Sequence, residues 1–136
     1  MEDVIEDVLT GTRTWAVVGC SPDPARDSHR IAALLQRRGY DVIPVNPNCD
    51  EVLGARAYPT VADAAADGHE IEVVDVFRRS SEAGRHVDEA IDIGATAVWL
   101  QLGVIDQAAA RRAADAGLLV VMDHCPKIEY PRRRRP

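Results

Sequence analysis

TWAVVGCSPDPARDSHRIAALLQRRG, residues 14–39, reads as a strand, a glycine turn and a helix in immediate succession. The run at 14–19 is apolar without clean alternation, as a strand buried on both faces requires. Gly19 ends it. Over 28–38, Ile31, Leu34 and Leu35 recur at helical spacing, with Asp27 or Ser28 in cap position and Gly39 as the stop. A strand that passes through glycine into a helix N-terminus is how a phosphate-binding loop begins. The dinucleotide fingerprint then demands two more glycines, and Cys20, Ser21, prolines and arginines stand in their place.

The same alternation continues along the chain. Short apolar runs recur at 41–45 (DVIPV), 72–77 (EVVDVF), 97–102 (AVWLQL) and 118–122 (LLVVM). Helical spacing separates them. The pattern at 80–93 carries Ala83, Val87, Ala90 and Ile91, with Ser80 or Ser81 as cap and Gly94 as stop. The alanine-rich pattern at 105–116 starts near Asp106 and stops at Gly117; a shorter one at 61–66 follows Thr60, and 2–9 predicts a helix leaning on the body. Strand and helix in alternation define an α/β fold, a Rossmann-like doubly wound parallel sheet of about five strands with helices on both faces. Right-handed crossovers favour the strand order 3-2-1-4-5, which puts a ligand crevice beyond the carboxyl ends of strands one and four.

Composition limits the partners. The net charge is −6, and without Arg132 to Arg135 the chain has 12 basic against 22 acidic residues, or −10. A body that acidic is a poor general binder of nucleic acid. The basic stretch at 131–136 reads as a solvated, disordered end. At 136 residues the chain fits a single domain, 1–136. No apolar run approaches the ~20 residues that span a bilayer. The acidic, amphipathic N-terminus is unlike a signal peptide, so a cytoplasmic location is expected. Cys20, Cys49 and Cys125 are too widely spaced for a zinc ribbon or a disulfide framework, and the four histidines show no metal-ligand spacing.

Each strand end supplies candidates for the crevice. The first delivers Gly19, Cys20 and Ser21, with Arg26 and a helical first turn of Asp27, Ser28 and His29 behind them. Glycine lets a phosphate approach the backbone, Ser21 offers a hydroxyl, and arginine pairs with phosphate oxygens bidentately. The second strand ends in Asn46 and Pro47, where NAD-binding folds carry an acid for the ribose hydroxyl. A neutral end suits a phosphorylated ribose, which leaves NADP or coenzyme A. The third ends in Val76, Phe77 and Arg78, followed by Arg79; the fourth in Gln101 and Gly103; the fifth in His124, Cys125 and Lys127.

VVGCSPDPARDSHR, GYDVIPVNPNCDEVLG, DVFRR, AVWLQLGV and AGLLVVMDHCPKIEY stand in one order across 15–130. With them the chain resembles the small CoA-binding proteins of Rossmann-like fold, relatives of the CoA-binding domain of the succinyl-CoA synthetase alpha subunit. The resemblance implies coenzyme A, or an acyl-CoA, as the ligand, with no reaction assigned. It implies that Gly19, Cys20, Ser21 and Arg26 hold the phosphates, with Ser28 behind them a further candidate for the cofactor, and that Asn46 and Pro47 lie near the adenosine. Val76, Phe77 and Arg78 would then line the middle, while Gln101 and Gly103 meet the pantetheine. His124 and His29 stand where this group more often has arginine and tyrosine. The implied partner is a small nucleotide, with neither nucleic acid nor membrane; a homo-oligomer or a protein partner stays open.

Two other readings compete with a non-catalytic binding module. Cys20 lies near a helix N-terminus, a setting that lowers a thiol pKa, and Cys125 ends the fifth strand. Either thiol could form a mixed disulfide with CoA. An NADP-dependent oxidoreductase ranks lower, because Tyr130 in KIEY poorly matches a catalytic Tyr-x-x-x-Lys.

Overall fold

The computed structural model describes the backbone of residues 2–133 and the side chains of residues 4–129. In chain order the elements are α1 (Glu2–Gly11), β1 (Thr14–Val18), α2 (Asp27–Arg37), β2 (Asp41–Val45), β3 (Glu51–Val52), β4 (Ala55–Arg56) and α3 (Val61–Ala66). Then follow β5 (Val73–Val76), α4 (Ser80–Asp92), β6 (Ala97–Leu100), α5 (Gln107–Asp115), β7 (Leu119–Met122) and α6 (Pro126–Arg133). Five strands form one parallel sheet in the order β2-β1-β5-β6-β7. The doubly wound α/β fold expected from the sequence is the fold observed.

The strand order corrects the expected one. Counting the five long strands alone it is 2-1-3-4-5, so the third strand pairs with the first and β2 lies at the edge. Pro44 is the reason. An internal β2 would need the amide of residue 44 in its ladder, and proline has none to give. The outer side of β2 is instead closed by the chain that follows. Tyr58 N–H donates to Pro44 O (3.0 Å), and Asn46 N–H donates to Tyr58 O (2.8 Å). The reversal of winding therefore falls between β1 and β5, one strand away from the expected crevice.

Both sheet faces are covered. α1 and α2 pack with Trp15, Val17 and Trp99 on one face; α3, α4 and α5 pack with Val74, Val76 and Val98 on the other. The two tryptophans are fully buried and pack with ring centroids 5.4 Å apart, tilted 44° to each other. Their indole N–H groups are satisfied, Trp15 by Thr12 Oγ1 and Trp99 by His124 O, each at 2.9 Å. Trp99→Ala is expected to cost about 3–5 kcal/mol in urea denaturation, because the void cannot collapse against a sheet and the His124 carbonyl loses its donor.

Several local readings change. α3 and α5 start at Thr60 and Asp106 as expected, and these residues cap them by accepting from Asp63 N–H and Ala109 N–H, both at 3.0 Å. Neither Asp27 nor Ser28 caps α2: Arg26 is its N-cap and makes no side-chain cap bond. Ser80 does not cap α4. Its Oγ accepts from Ile105 N–H (2.9 Å) and donates to Gly103 O (3.4 Å), joining two loops of the carboxyl edge. The β3–β4 hairpin lies outside the expected elements. It turns on Leu53 and Gly54, both at positive φ, where Asn-Gly is the usual signal. α6 carries helical backbone through Arg133, into the stretch expected to be disordered; residues 134–136 lie outside the described residues. Among the described residues no helix is long and apolar enough to cross a membrane.

Candidate functional site

The gap between the carboxyl ends of β1 and β5 is where the chain departs to opposite faces, through α2 after β1 and α4 after β5. Gly19 sits in this gap at φ +83°. A Cβ there would meet Phe77 O at 3.0 Å and Arg78 Cδ at 3.2 Å, so only glycine permits the approach of the two strand ends. The loop beyond it is braced from within. Ser21 N–H donates to Ser28 Oγ (3.0 Å), Asp23 N–H to Ser21 Oγ (3.0 Å) and Asn46 Nδ2 to Cys20 O (2.9 Å). The Ser21 hydroxyl keeps its proton to donate, and α2 begins without a side-chain cap over its first-turn amides.

Two clefts lie on either side of Gly19. One, of about 470 Å³, opens on the α2 side and is lined by Ile31, Phe77, Arg78, Gln101, Gly103 and Cys125, among others. The second, of about 420 Å³, opens on the α4 side among Gly19, Ser21, Arg26, Asn46, Pro47, Thr60, Arg78 and His86. Arg78 lines both. A third depression of about 480 Å³ joins them along the α2 N-terminus, from Gly19 and Ser21 past Ser28 to Phe77. The whole is a saddle over Gly19, a shape for a long ligand bent at its middle.

The saddle is basic within an acidic chain. Glu82 gathers three guanidinium groups, those of Arg78 (2.7 Å), Arg79 (3.5 Å) and Arg85 (3.9 Å). The hydrogen bond from Arg78, and then the three positive charges, hold its carboxyl below the usual range. Arg30 pairs with Asp27 (2.5 Å), whereas Arg26 is exposed and makes no ion pair among the described residues. On the α4 side His86 bonds Glu89 through Nδ1 (3.0 Å), and its Nε2 is buried without a partner among the described residues.

Most of the expected residues gather here: Gly19, Ser21, Arg26, Asn46 and Pro47 on one side, Phe77, Gln101 and Gly103 on the other, Arg78 between. Ser28 is buried and braces the loop from beneath. Two residues do not reach the clefts. Val76 is wholly buried in the sheet, facing the core on the α4 side. Cys20 is wholly buried on the other face, and burial, with the neighbouring Cys49 and Asp75, pushes its thiol up to about 12. This overturns the expectation of an activated Cys20, because its side chain turns away from the helix N-terminus into apolar surroundings. Sequence reasoning missed Arg85, His86 and Glu89. Their spacing of one and four residues places them together on the middle turns of α4, but the same spacing describes any solvated helix face.

A fold wound this way, with a glycine saddle and arginines at its switch point, is of Rossmann-like class. A family model described as "CoA binding domain" matches residues 13–131, and the chain belongs to that family. It is 36% identical over 126 residues to the uncharacterized Bacillus subtilis protein YneT, covering 93% of this chain and 91% of that one. Its fold matches a hypothetical protein from Pyrococcus horikoshii at a TM-score of 0.90 and 39% identity, over 97% and 91% of the two chains. It also matches a dinucleotide-forming acetyl-coenzyme A synthetase from Ca. Korarchaeum cryptofilum, solved with phosphate and ADP, at a TM-score of 0.71 and 25% identity. That match covers 90% of this chain and 28% of the enzyme.

Proposed function

We propose that this chain binds coenzyme A along the carboxyl edge of its sheet, as a binding module without chemistry of its own. The observation that carries the reading is the Gly19–Arg78 saddle, which joins two clefts on opposite faces of one sheet. Coenzyme A has matching parts, with a diphosphate between an adenosine and a pantetheine arm. The diphosphate lies over Gly19, within reach of Arg78, the Ser21 hydroxyl and the uncapped start of α2. The adenosine takes the α4-side cleft, which Asn46, Pro47 and His86 line. The pantetheine takes the other, past Phe77 toward Gly103. Arg26 and Arg85 flank the adenosine cleft and suit the 3′-phosphate.

Calorimetry with coenzyme A and its 3′-dephospho form tests the proposal. One charge-assisted arginine–phosphate contact stabilises by roughly 1.5–3 kcal/mol, so coenzyme A is expected to bind about 10- to 100-fold more tightly. Equal affinity, or no binding of either, overturns it.

One observation favours a second reading. Cys125 lines the pantetheine-side cleft together with Lys127. Attack of the Cys125 thiolate on CoA disulfide would form a protein–CoA disulfide and release one CoA thiolate. Mass spectrometry after incubation with CoA disulfide decides it: an adduct lost in Cys125→Ser supports the exchange, and an unmodified protein rejects it.

A further inference from the structure

The loop that follows β6 spends its backbone N–H groups on the protein itself. Gln101 N–H donates to Val76 O (3.3 Å) and Val104 N–H to Gln101 O (2.8 Å). Gly103 N–H donates to Asp123 Oδ1 (2.7 Å) and Ile105 N–H to Ser80 Oγ (2.9 Å). These four donors are taken, and a ligand in the pantetheine-side cleft cannot use them. One side chain of the loop is only half spent. Gln101 is buried at the cleft wall, and its Nε2 donates to Asp75 Oδ1 at 2.8 Å.

Asp75 lies in the middle of β5, wholly buried between Val17 of β1 and Trp99 of β6. A carboxyl group in that position costs free energy, and what it supplies in return is an acceptor. Ionised, it accepts on both oxygens. Burial pushes its pKa up to about 8, and as the neutral acid it still accepts on one. The Gln101 amide is therefore turned with its nitrogen toward β5, which leaves Oε1 on the other side. Oε1 accepts from no group among the described residues and is not sealed into the core, so it opens on the cleft that Gln101 lines.

We propose that Gln101 is a specificity-determining residue of this cleft: its Oε1 accepts from an amide N–H of the ligand's arm, and Asp75 sets that orientation. The proposal rests on the coenzyme A reading, since the pantetheine arm carries two amide groups, each with one N–H. An arm that brings the donor satisfies the oxygen. An arm of the same shape without it covers the oxygen and leaves it unpaired away from water, which is how a polar site rejects an analogue.

The test compares coenzyme A with two analogues in which one arm amide or the other is replaced by an ester. Each exchange removes one N–H and keeps the length of the arm. In calorimetry the wild type is expected to bind one of the two about 10-fold more weakly than coenzyme A. Gln101→Met has no acceptor there, and in Asp75→Val the amide loses its inward partner; each should bind that analogue within about twofold of coenzyme A. A wild type that distinguishes neither analogue overturns the proposal, as does discrimination kept in either variant. A measurement on the wild type alone is independent of how the variants fold. The Gln101 Cδ resonance should move when coenzyme A binds and far less with the weaker analogue, and equal movement with both overturns the contact. If the wild type binds no coenzyme A, the ligand reading fails and the orientation is tested in the free protein. There one Gln101 side-chain amide proton should exchange with solvent much more slowly than those of the exposed Gln107, and equal rates overturn it.

Discussion

Gly19→Val is expected to abolish coenzyme A binding, lowering affinity at least about 100-fold, and to destabilise the fold by about 1–3 kcal/mol. Two independent effects act at this position. The backbone stands at φ +83°, a conformation that a β-branched residue strongly resists. The new Cβ would also lie 3.0 Å from Phe77 O, a backbone atom of the neighbouring strand end that cannot swing aside. Relief of the contact spreads β1 from β5 and displaces Arg78, whose Cδ is the next atom met at 3.2 Å. Strain and site are separated by a control. Gly39 has a similar φ of +92°, but a Cβ there meets nothing within 4 Å, and the residue lies at the far end of α2. Gly39→Val should lose comparable stability yet bind coenzyme A like the wild type. Normal binding by Gly19→Val would show that the saddle is not where the ligand sits.

Arg78→Ala should have the opposite balance, with the fold intact and the affinity reduced about 10- to 100-fold. Its guanidinium makes an ion pair with Glu82 at 2.7 Å, but its side chain is 41% exposed, and such pairs contribute at most about 1 kcal/mol to stability. Thermal melting is expected to shift little. Binding should weaken because Arg78 alone lines both clefts among the saddle's arginines. Loss of one positive contact should also flatten the salt dependence of the dissociation constant. Arg78→Lys is expected to recover only part of the affinity, since an ammonium group replaces a planar fork with a point charge. Wild-type affinity in Arg78→Ala, with wild-type salt dependence, would show that phosphate is held elsewhere.

The layout of the fold was legible because the signals that mark it are local. The apolar runs at 14–19 and 97–102 and the glycines at 39, 94 and 117 delimit five strands and their helices without reference to one another. Strand order is not local, and the expected order failed there. Yet the deciding residue stands in plain view, since a proline within DVIPV is itself the mark of an edge strand. The β3–β4 turn escaped because Leu53 occupies a left-handed position that normally selects Asn or Gly. α6 escaped because PKIEYPRR carries no apolar stripe.

The candidate site divides in the same way. Strand-end residues such as Gly19, Asn46, Phe77 and Gly103 were found because position along the chain fixes position at the rim. Direction was harder. Cys20 and Val76 lie at the rim but point into opposite cores: Val76 follows the strand alternation of period two, whereas Cys20, past the left-handed Gly19 at φ +83°, falls on the face opposite Val18. His86 and Glu89 enter the cleft only because α4 packs between β5 and α3, which no spacing within α4 reveals.

The most direct test of a ligand cradled over Gly19 is an NMR titration of the isotope-labelled protein with coenzyme A. Amide shifts are expected to concentrate at residues 19–28, 46–48, 77–79 and 101–103, on both sides of the saddle. Shifts confined to one side, or clustered at α1 and the outer face of α5, would contradict a ligand bound there.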